Sequence, residues 1–346
     1  MIDKNYCCSS WLVHRYIIDD NKEFASGIKH KIYDKITKEN LIIINDSEDL
    51  GSIIKSRVEE KYVEGKTGLF LSGGIDSAIV AAYLPKGIKA YTITCDAPNF
   101  VNETERAKKY AEINKLDLKI IKINWEDYLE TLPILMTDAG SPVVAIEPQL
   151  YKAGKFASID GIEYIFTGVG MDTAFGGLDK SHAKDWSYNE FIDFYTYIQP
   201  VKALIMPDEN VFNIFENYRL ENNKIKYHDI MLELHGRDSD GCFRHALSLA
   251  GIEDIPIAKK LRPKFLDITR IRRGEPKYLV YELFKKLYPD LEAPEKLPMP
   301  RAVDYWLRDY YPVRNEFIPN CTLNMTGEQK YLIFALEMFM NLIDKK

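Results

Sequence analysis

Short apolar runs alternate with segments of helical periodicity along this chain. The apolar runs predict strands at residues 9–18, 41–44, 69–71, 89–94, 118–123 and 164–166. Helical spacing predicts helices at residues 47–62, 77–84, 103–113, 150–159, 238–250 and 326–343, with one more ending at Tyr288. This alternation is typical of an α/β fold with a doubly wound, mostly parallel sheet, followed here by a mainly helical C-terminal part.

Composition and charge narrow the function classes. The chain has 346 residues and a net charge of −6, without a basic tract that would favour a nucleic-acid partner. We expect no membrane association, because the first residues lack a signal-peptide core and no apolar run could span a bilayer. The five cysteines form no CxxC pair, which favours reduced thiols in the cytoplasm over disulfides or a zinc site.

The most informative segment joins the strand at 69–71 to the helix at 77–84. It reads Ser72-Gly73-Gly74-Ile75-Asp76-Ser77. The glycines let backbone N–H groups approach a ligand closely, and the following helix N-terminus favours an anion. Asp76 adds a carboxylate, which tolerates an anion only if a cation joins the two. A magnesium-bound phosphate chain is therefore the expected ligand.

A second glycine-rich segment follows the strand at 164–166. It contains Thr167-Gly168-Val169-Gly170-Met171-Asp172-Thr173, and ends in Phe175-Gly176-Gly177. In parallel sheets, ligands bind at the carboxyl ends of the strands. Both glycine-rich segments, together with the residues around Thr94, are therefore predicted to border one crevice.

The two segments carry a resemblance to a known family. The first resembles the SGGxDS pyrophosphate loop of the PP-loop ATP pyrophosphatases, and the second is similar to the SGEGxDExFGG stretch of the asparagine synthetase group. That group includes asparagine synthetase B and the β-lactam and carbapenam synthetases. The resemblance covers about residues 60–310 and implies the adenine nucleotide alpha hydrolase-like fold, with ATP and Mg²⁺ as cofactors. It also implies a carbon–nitrogen ligase that adenylates a carboxylate, releases pyrophosphate and transfers the acyl group to ammonia or an amine.

The resemblance also implies roles for individual residues. Pyrophosphate and ATP would be bound by Ser72, Gly73, Gly74, Asp76, Ser77 and Gly168, with adenine near the backbone of Thr94. Asp76 and Asp172 would hold Mg²⁺ from two strand ends. Lys296, in a loop that matches the lysine-bearing loop of the synthetases, would stabilise charged intermediates, and Arg301 would help to hold pyrophosphate.

Three departures from the family limit these implications. Val169 stands where asparagine synthetases have Glu and β-lactam synthetases have Tyr, and Thr173 replaces the Glu after the Asp. Neither side chain can serve as the family's base, which argues against asparagine synthesis itself. Residues 1–60 are too short for the glutaminase domain, so we divide the chain into a small N-terminal segment, 1–60, and a synthetase domain, 61–346. Ammonia would then come from solution or from a separate glutaminase subunit.

The sequence is compatible with other functions. Gly65-Lys66-Thr67 is similar to the end of a Walker loop, but Glu60 stands where its first glycine is required and the tripeptide precedes its strand. A PP-loop enzyme that activates an amide, urea or nucleobase oxygen for nitrogen or sulfur insertion is one alternative to the ligase. A non-catalytic nucleotide-binding subunit is the other.

Overall fold

The computed structural model describes residues 1–34, 41–98, 100, 102–295, 299 and 301–345. The strands are β1 Ile42–Ile44, β2 Thr67–Phe70, β3 Lys89–Cys95, β4 Asp117–Ile123, β5 Tyr164–Thr167, β6 Glu253–Pro256 and β7 Leu261–Pro263. The helices up to the end of β5 are α1 Lys4–His14, α2 Ser47–Lys61, α3 Ile75–Tyr83, α4 Thr104–Asn114, α5 Trp125–Ala139 and α6 Glu147–Ile159. The later helices are α7 Met171–Phe175, α8 Asp179–His182, α9 Tyr188–Tyr195, α10 Tyr227–Ile230, α11 Gly236–Leu249, α12 Ile268–Arg272, α13 Tyr278–Leu287, α14 Val303–Trp306 and α15 Gly327–Ile343. Two 3₁₀ segments, Pro200–Lys202 and Glu209–Tyr218, and a π-helix, Met231–His235, complete the described elements.

A five-stranded parallel sheet in the order β4-β3-β2-β5-β6 forms the centre of the molecule. Strand β2 lies between β3 and β5, with Gly68 opposite both Lys89 and Ile165. The predicted α/β class with a parallel sheet is therefore confirmed. Because β2 and β5 are direct neighbours, the two glycine-rich segments that follow them leave the sheet side by side.

Helices cover both faces of this sheet. One core contains Leu69, Ala78 and Phe284, which join β2 to α3 and α13. Another contains Tyr91, Leu150 and Leu336, which join β3 to α6 and the C-terminal helix α15. The doubly wound arrangement follows from strands whose side chains alternate between two buried faces.

The N-terminal element differs from its prediction. Residues 9–18 were expected to form a strand, but helix α1 spans Lys4–His14, with the Asp3 side chain accepting a hydrogen bond from the Tyr6 backbone. Nine consecutive positions of this helix are buried. Its apolar residues therefore do not recur every three to four positions, as they do in a helix with one buried face. A short run of this kind does not distinguish a strand from a buried helix. Trp11 Nε1 donates to the Leu332 carbonyl at 2.9 Å, which fastens α1 to α15.

The remaining predicted elements are present with shifts of one to three residues at their ends. Residues 181–236 are rich in aromatic side chains and form short helices around a separate core, in which Tyr188, Phe191 and Phe215 are buried. Within the described residues, no helix is both long enough and apolar enough to cross a membrane. The division into segments 1–60 and 61–346 stays a prediction, although α1 packs in the same core as α15.

Candidate functional site

The loop after β2 is closed by its own side chains. Ser77 Oγ accepts a hydrogen bond from the Ser72 backbone N–H at 3.1 Å and donates to the Gly74 carbonyl at 3.2 Å. Gly73 has a φ of +80°, a conformation that suits glycine, and an added Cβ there would come within 2.8 Å of the Glu103 carbonyl. Gly74 then caps helix α3 without a side chain, so the first backbone N–H groups of the helix face the cleft.

The loop after β5 lies directly against the first one. An added Cβ at Gly168 would come within 2.8 Å of Asp76 Cβ, so glycine permits the two loops to touch. Gly170 has a φ of +93° and begins helix α7, which carries Asp172 in its first turn. The backbone of this loop thus brings the Asp172 carboxylate toward the Asp76 carboxylate from the neighbouring strand.

Lys277 joins the two carboxylates. Its Nζ donates to Asp76 Oδ1 at 2.6 Å and to Asp76 Oδ2 at 2.7 Å, and it lies 3.0 Å from Asp172 Oδ1. The lysine side chain is 5 % exposed, against 22 % for Asp76 and 36 % for Asp172. One buried ammonium is therefore shared by the ends of β2 and β5.

The backbone that presents Lys277 is unusual. Lys277 caps the N-terminus of α13 in the left-handed region, with a φ of +51°. A lysine at a helix N-terminus is electrostatically unfavourable, and the first turn of α13 contains no acid. Burial alone would lower the pKa of Lys277, but the charges of Asp76 and Asp172 outweigh that effect and raise it above its ordinary value. The two aspartates therefore keep the ammonium charged.

These groups line a cavity of about 330 Å³. The two loops and α7 contribute Ser72, Gly74, Ile75, Asp76, Ser77, Gly168, Val169, Gly170, Asp172 and Thr173. Residues from the surrounding elements include Phe70, Tyr91, Thr92, Ile93, Glu103, Ile146, Gln149, Leu150, Leu178, His235, Ser239, Phe243, Tyr281 and Met299. Lys277 is the only lysine or arginine among the described residues that line it.

The structure thus brings together most of the predicted site residues, but not all of them. Gly73 lies in the first loop, against Glu103 rather than at the cavity wall. Thr94 lies in β3, just beyond the lining residues Thr92 and Ile93. Arg301 Nε pairs with Glu328 at 2.5 Å, and Lys296 lies outside the described residues. The roles predicted for Thr94, Arg301 and Lys296 stay predictions.

The sequence patterns did not indicate several of the residues that line the cavity. Lys277 had one local signal, because a lysine at a helix start without acids in the first turn needs charge partners from elsewhere. His235 and Ser239 had none: they lie one turn apart, where a π-helix runs into α11. Glu103, the N-cap residue of α4, is a further acidic residue at the site. It lines the cavity, pairs with Arg106 at 2.5 Å, and has a pKa that burial raises.

The donor set at the strand ends suits a hard divalent cation. Protein sites for Mg²⁺ usually supply one or two carboxylates, and substrate phosphates and water complete the coordination. Asp76 and Asp172 are two carboxylates of this kind, close enough to contact one cation. Within the described ranges, no group of three or more His, Cys, Asp or Glu residues is placed to hold a metal on its own. Two carboxylates fit a metal whose remaining ligands come from substrate phosphates and water.

Comparisons with known proteins extend this picture. The chain is 28 % identical over 177 residues to a protein of Methanocaldococcus jannaschii provisionally named asparagine synthetase (glutamine-hydrolyzing) 1. That match covers 48 % of this chain and 31 % of the relative. The chain is also 27 % identical over 141 residues to Amidase chry2 of Gibberella zeae, covering 34 % of this chain and 20 % of that protein. The matched region thus spans a third of one relative and a fifth of the other.

Among solved structures, the chain is similar to an NH₃-dependent NAD synthetase of Campylobacter jejuni, a complex with a nitrate ion. The sequence identity is 17 %, the TM-score is 0.27, and the likeness covers 38 % of this chain and 58 % of that one.

The sequence profile of the asparagine synthase family matches residues 57–237. This range is more than half of the 346 residues, and it contains β2 to β5, both glycine-rich loops, Asp76 and Asp172. Because the profile covers more than half of the chain and includes both site loops, the chain belongs to the asparagine synthase family.

Proposed function

We propose that this protein is an ATP-dependent, amide-forming carbon–nitrogen ligase. A substrate carboxylate would attack the α-phosphorus of ATP, giving an acyl-adenylate and pyrophosphate. Ammonia or an amine would then attack the acyl carbon, forming the amide and releasing AMP. Whether a separate glutaminase subunit supplies the ammonia stays a prediction.

One observation carries this proposal: Asp76 and Asp172, at the ends of adjacent strands, share a buried cation beside the N-terminus of helix α3, which has no side-chain cap. A polyphosphate needs both features. The N–H groups of the first loop and of α3 would bind the anionic oxygens, and the carboxylates would be tolerated near them because cations intervene.

Residues of the chain can be assigned to the steps. The loop at 72–77 would bind the pyrophosphate group, and Asp76 and Asp172 would hold Mg²⁺, which supplies charge neutralisation at the phosphates when bound. Lys277 would stabilise negative charge from inside the cavity, and Lys296 has the role expected from the family resemblance. Val169 lines the cavity with an apolar side chain, so proton removal from the nucleophile falls to another group or is not needed.

Product analysis tests the proposal. Purified protein is incubated with Mg-ATP and a pooled metabolite extract, and AMP and pyrophosphate are measured. We expect both to form with the wild type and neither with Asp76→Ala or Asp172→Ala. Asp117→Ala is the matched control, because Asp117 is an exposed aspartate at the amino end of β4, on the opposite edge of the same sheet. It should retain full activity.

Other results would redirect the assignment. Full activity in both active-site variants would overturn it. Nucleotide binding without AMP release would favour a non-catalytic nucleotide-binding subunit. AMP release with a product in which an amide, urea or nucleobase oxygen is replaced by nitrogen or sulfur would favour the activator chemistry instead.

A further inference from the structure

Lys277 lies where the two proposed metal ligands converge. Its ammonium contacts both oxygens of Asp76 and one oxygen of Asp172, all within 3.0 Å. A divalent cation that bridged these carboxylates would compete with the ammonium for the same oxygen atoms. The contacts therefore link the position of one side chain to the occupancy of the metal site.

We propose that Lys277 is an internal counter-ion that withholds Asp76 and Asp172 from a divalent cation until a nucleoside triphosphate is present. Metal would then bind together with the nucleotide and not before it. This inference rests on the proposed function, because it takes the cavity to be a nucleotide site.

A charge count explains why the nucleotide would decide the outcome. The two carboxylates and the ammonium together carry a single negative charge. Adding a divalent cation there brings two cations close together with too few anionic groups between them, which is unfavourable in a partly buried site. A triphosphate adds several negative charges, and both cations then have partners.

The side chain can make this exchange without a change in backbone. The Lys277 carbonyl accepts hydrogen bonds from the Val280 and Tyr281 backbone N–H groups at 2.8 and 3.0 Å, which fixes its main chain. The lysine stem crosses Gly177, where an added Cβ would overlap the stem carbons. Four methylene groups lie between this anchored backbone and the ammonium, so rotation about the side-chain bonds would let the ammonium leave the carboxylates while the backbone stays in place.

A purely structural ion pair makes a different prediction. If Lys277 only fastened the two loops together, its loss would lower stability and leave the affinity for metal unchanged or weaker. If it is a counter-ion that competes with metal, its loss frees two carboxylates, and the affinity for a divalent cation rises. The two readings thus differ in the sign of the change in metal affinity.

The test uses Mn²⁺ as the probe and measures free Mn²⁺ by electron paramagnetic resonance. Wild type, Lys277→Met and Lys277→Gln are titrated with Mn²⁺ alone and with Mn²⁺ plus α,β-methylene-ATP, whose α,β bond cannot be broken by the proposed reaction. We expect either lysine variant to bind Mn²⁺ alone about tenfold or more tightly than the wild type does. The added substitution Asp76→Asn should remove that gain.

Lys152→Met is the matched control. Lys152 is a partly buried lysine that also pairs with an aspartate, Asp127, but it lies outside the cavity lining. It should leave Mn²⁺ binding unchanged. Circular dichroism identifies any variant that fails to fold. Because two Lys277 variants are measured, the increase in Mn²⁺ affinity can still be tested if one of them does not fold.

The outcomes separate the two proposals. Equal Mn²⁺ affinities for wild type and folded lysine variants, with the analogue still bound by the wild type, would overturn this inference alone. A wild type that binds no α,β-methylene-ATP in the presence of Mn²⁺ would overturn the proposed function and this inference with it.

Discussion

Lys277 Nζ donates to both carboxylate oxygens of Asp76, across 201 positions of the sequence. Asp172 shares the same ammonium through one oxygen, at 3.0 Å. The strand ends of β2 and β5 are thus joined by charge as well as by the sheet. The same three groups form the centre of the proposed nucleotide site.

The two aspartates should differ in their effect on stability. Asp76→Asn removes the stronger pairing of a buried lysine and should lower the free energy of unfolding by about 1–3 kcal/mol. Asp172→Asn should cost about 1 kcal/mol or less, because its side chain is 36 % exposed and solvent screens the pair. Urea unfolding followed by circular dichroism measures both values. An equal or larger loss for Asp172→Asn would contradict this ranking.

Gly177→Ala should disturb the site without a large change in fold. An added Cβ there would overlap Asp172 Oδ1 and the stem of Lys277, so these side chains must move. We expect binding of Mg²⁺ and α,β-methylene-ATP, measured by calorimetry, to weaken about tenfold or more.

Gly161→Ala provides the comparison for this variant. Its φ of +83° strains an alanine, but nothing lies within 4 Å of the added Cβ, and Gly161 precedes β5 at the edge of the sheet opposite the site. It should lose some stability and keep its affinity for the analogue. If Gly177→Ala binds the analogue as tightly as the wild type does, the side chains of Asp172 and Lys277 move away from the added Cβ without weakening nucleotide binding, and the prediction is wrong.

Ser77→Ala should loosen the first loop. The Ser77 hydroxyl is buried and contacts the Ser72 backbone N–H, the Ser72 hydroxyl and the Gly74 carbonyl. Its loss should lower the free energy of unfolding by about 1–2 kcal/mol and weaken binding of the ATP analogue. Ser52→Ala removes a single exposed hydrogen bond in α2 and should do neither. Chemical denaturation and calorimetry on both variants decide the matter.

A buried histidine predicts how stability depends on pH. His245 Nδ1 lies 2.5 Å from Glu147 Oε2, and Nε2 lies 3.0 Å from Asp138 Oδ2. Burial alone would lower the pKa of His245, but the hydrogen bond to Glu147 and the charges of its partners raise it above 6.5. A raised folded-state pKa contributes stability that is complete below about pH 6.5 and is lost as the pH rises through the folded value.

The melting temperature of the wild type should therefore exceed that of His245→Gln most at pH 6, and the gap should narrow toward pH 9. His14 supplies the opposite case, because burial lowers its folded-state pKa to about 4, whereas the unfolded chain still binds a proton there below about pH 6.5. The gap between wild type and His14→Gln should therefore widen from pH 6 toward pH 9. A constant gap for His245→Gln would show that His245 does not titrate with folding.

Local sequence predicted the site loops because their structure is set by neighbouring residues. An apolar strand, two glycines, an aspartate and an alanine-rich helix specify a strand–turn–helix unit wherever they occur. The same reasoning predicted the strand at 164–166, which the structure extends to Thr167, and the glycine-rich turn that carries Asp172. Both carboxylates were placed at strand ends, and the parallel sheet put those ends in one crevice.

Local sequence patterns did not predict other parts of the fold. The α1 segment is buried over nine consecutive positions, so its apolar run resembled a strand. Helix α5, which contains Pro133, was not predicted, and neither were the short strands β6 and β7. Their conformation depends on the surfaces that they contact rather than on their own spacing.

The sequence by itself determined the α/β class, the two glycine-rich loops and the aspartates at their ends, because these follow from short-range periodicity and turn chemistry. Only the tertiary structure decided that β2 and β5 are neighbours and that Lys277 is the cation between Asp76 and Asp172. The physical reason is that a charge finds its partner through space. The pattern around Lys277 indicates an unfavourable helix start, but the carboxylates that compensate it lie more than a hundred residues away.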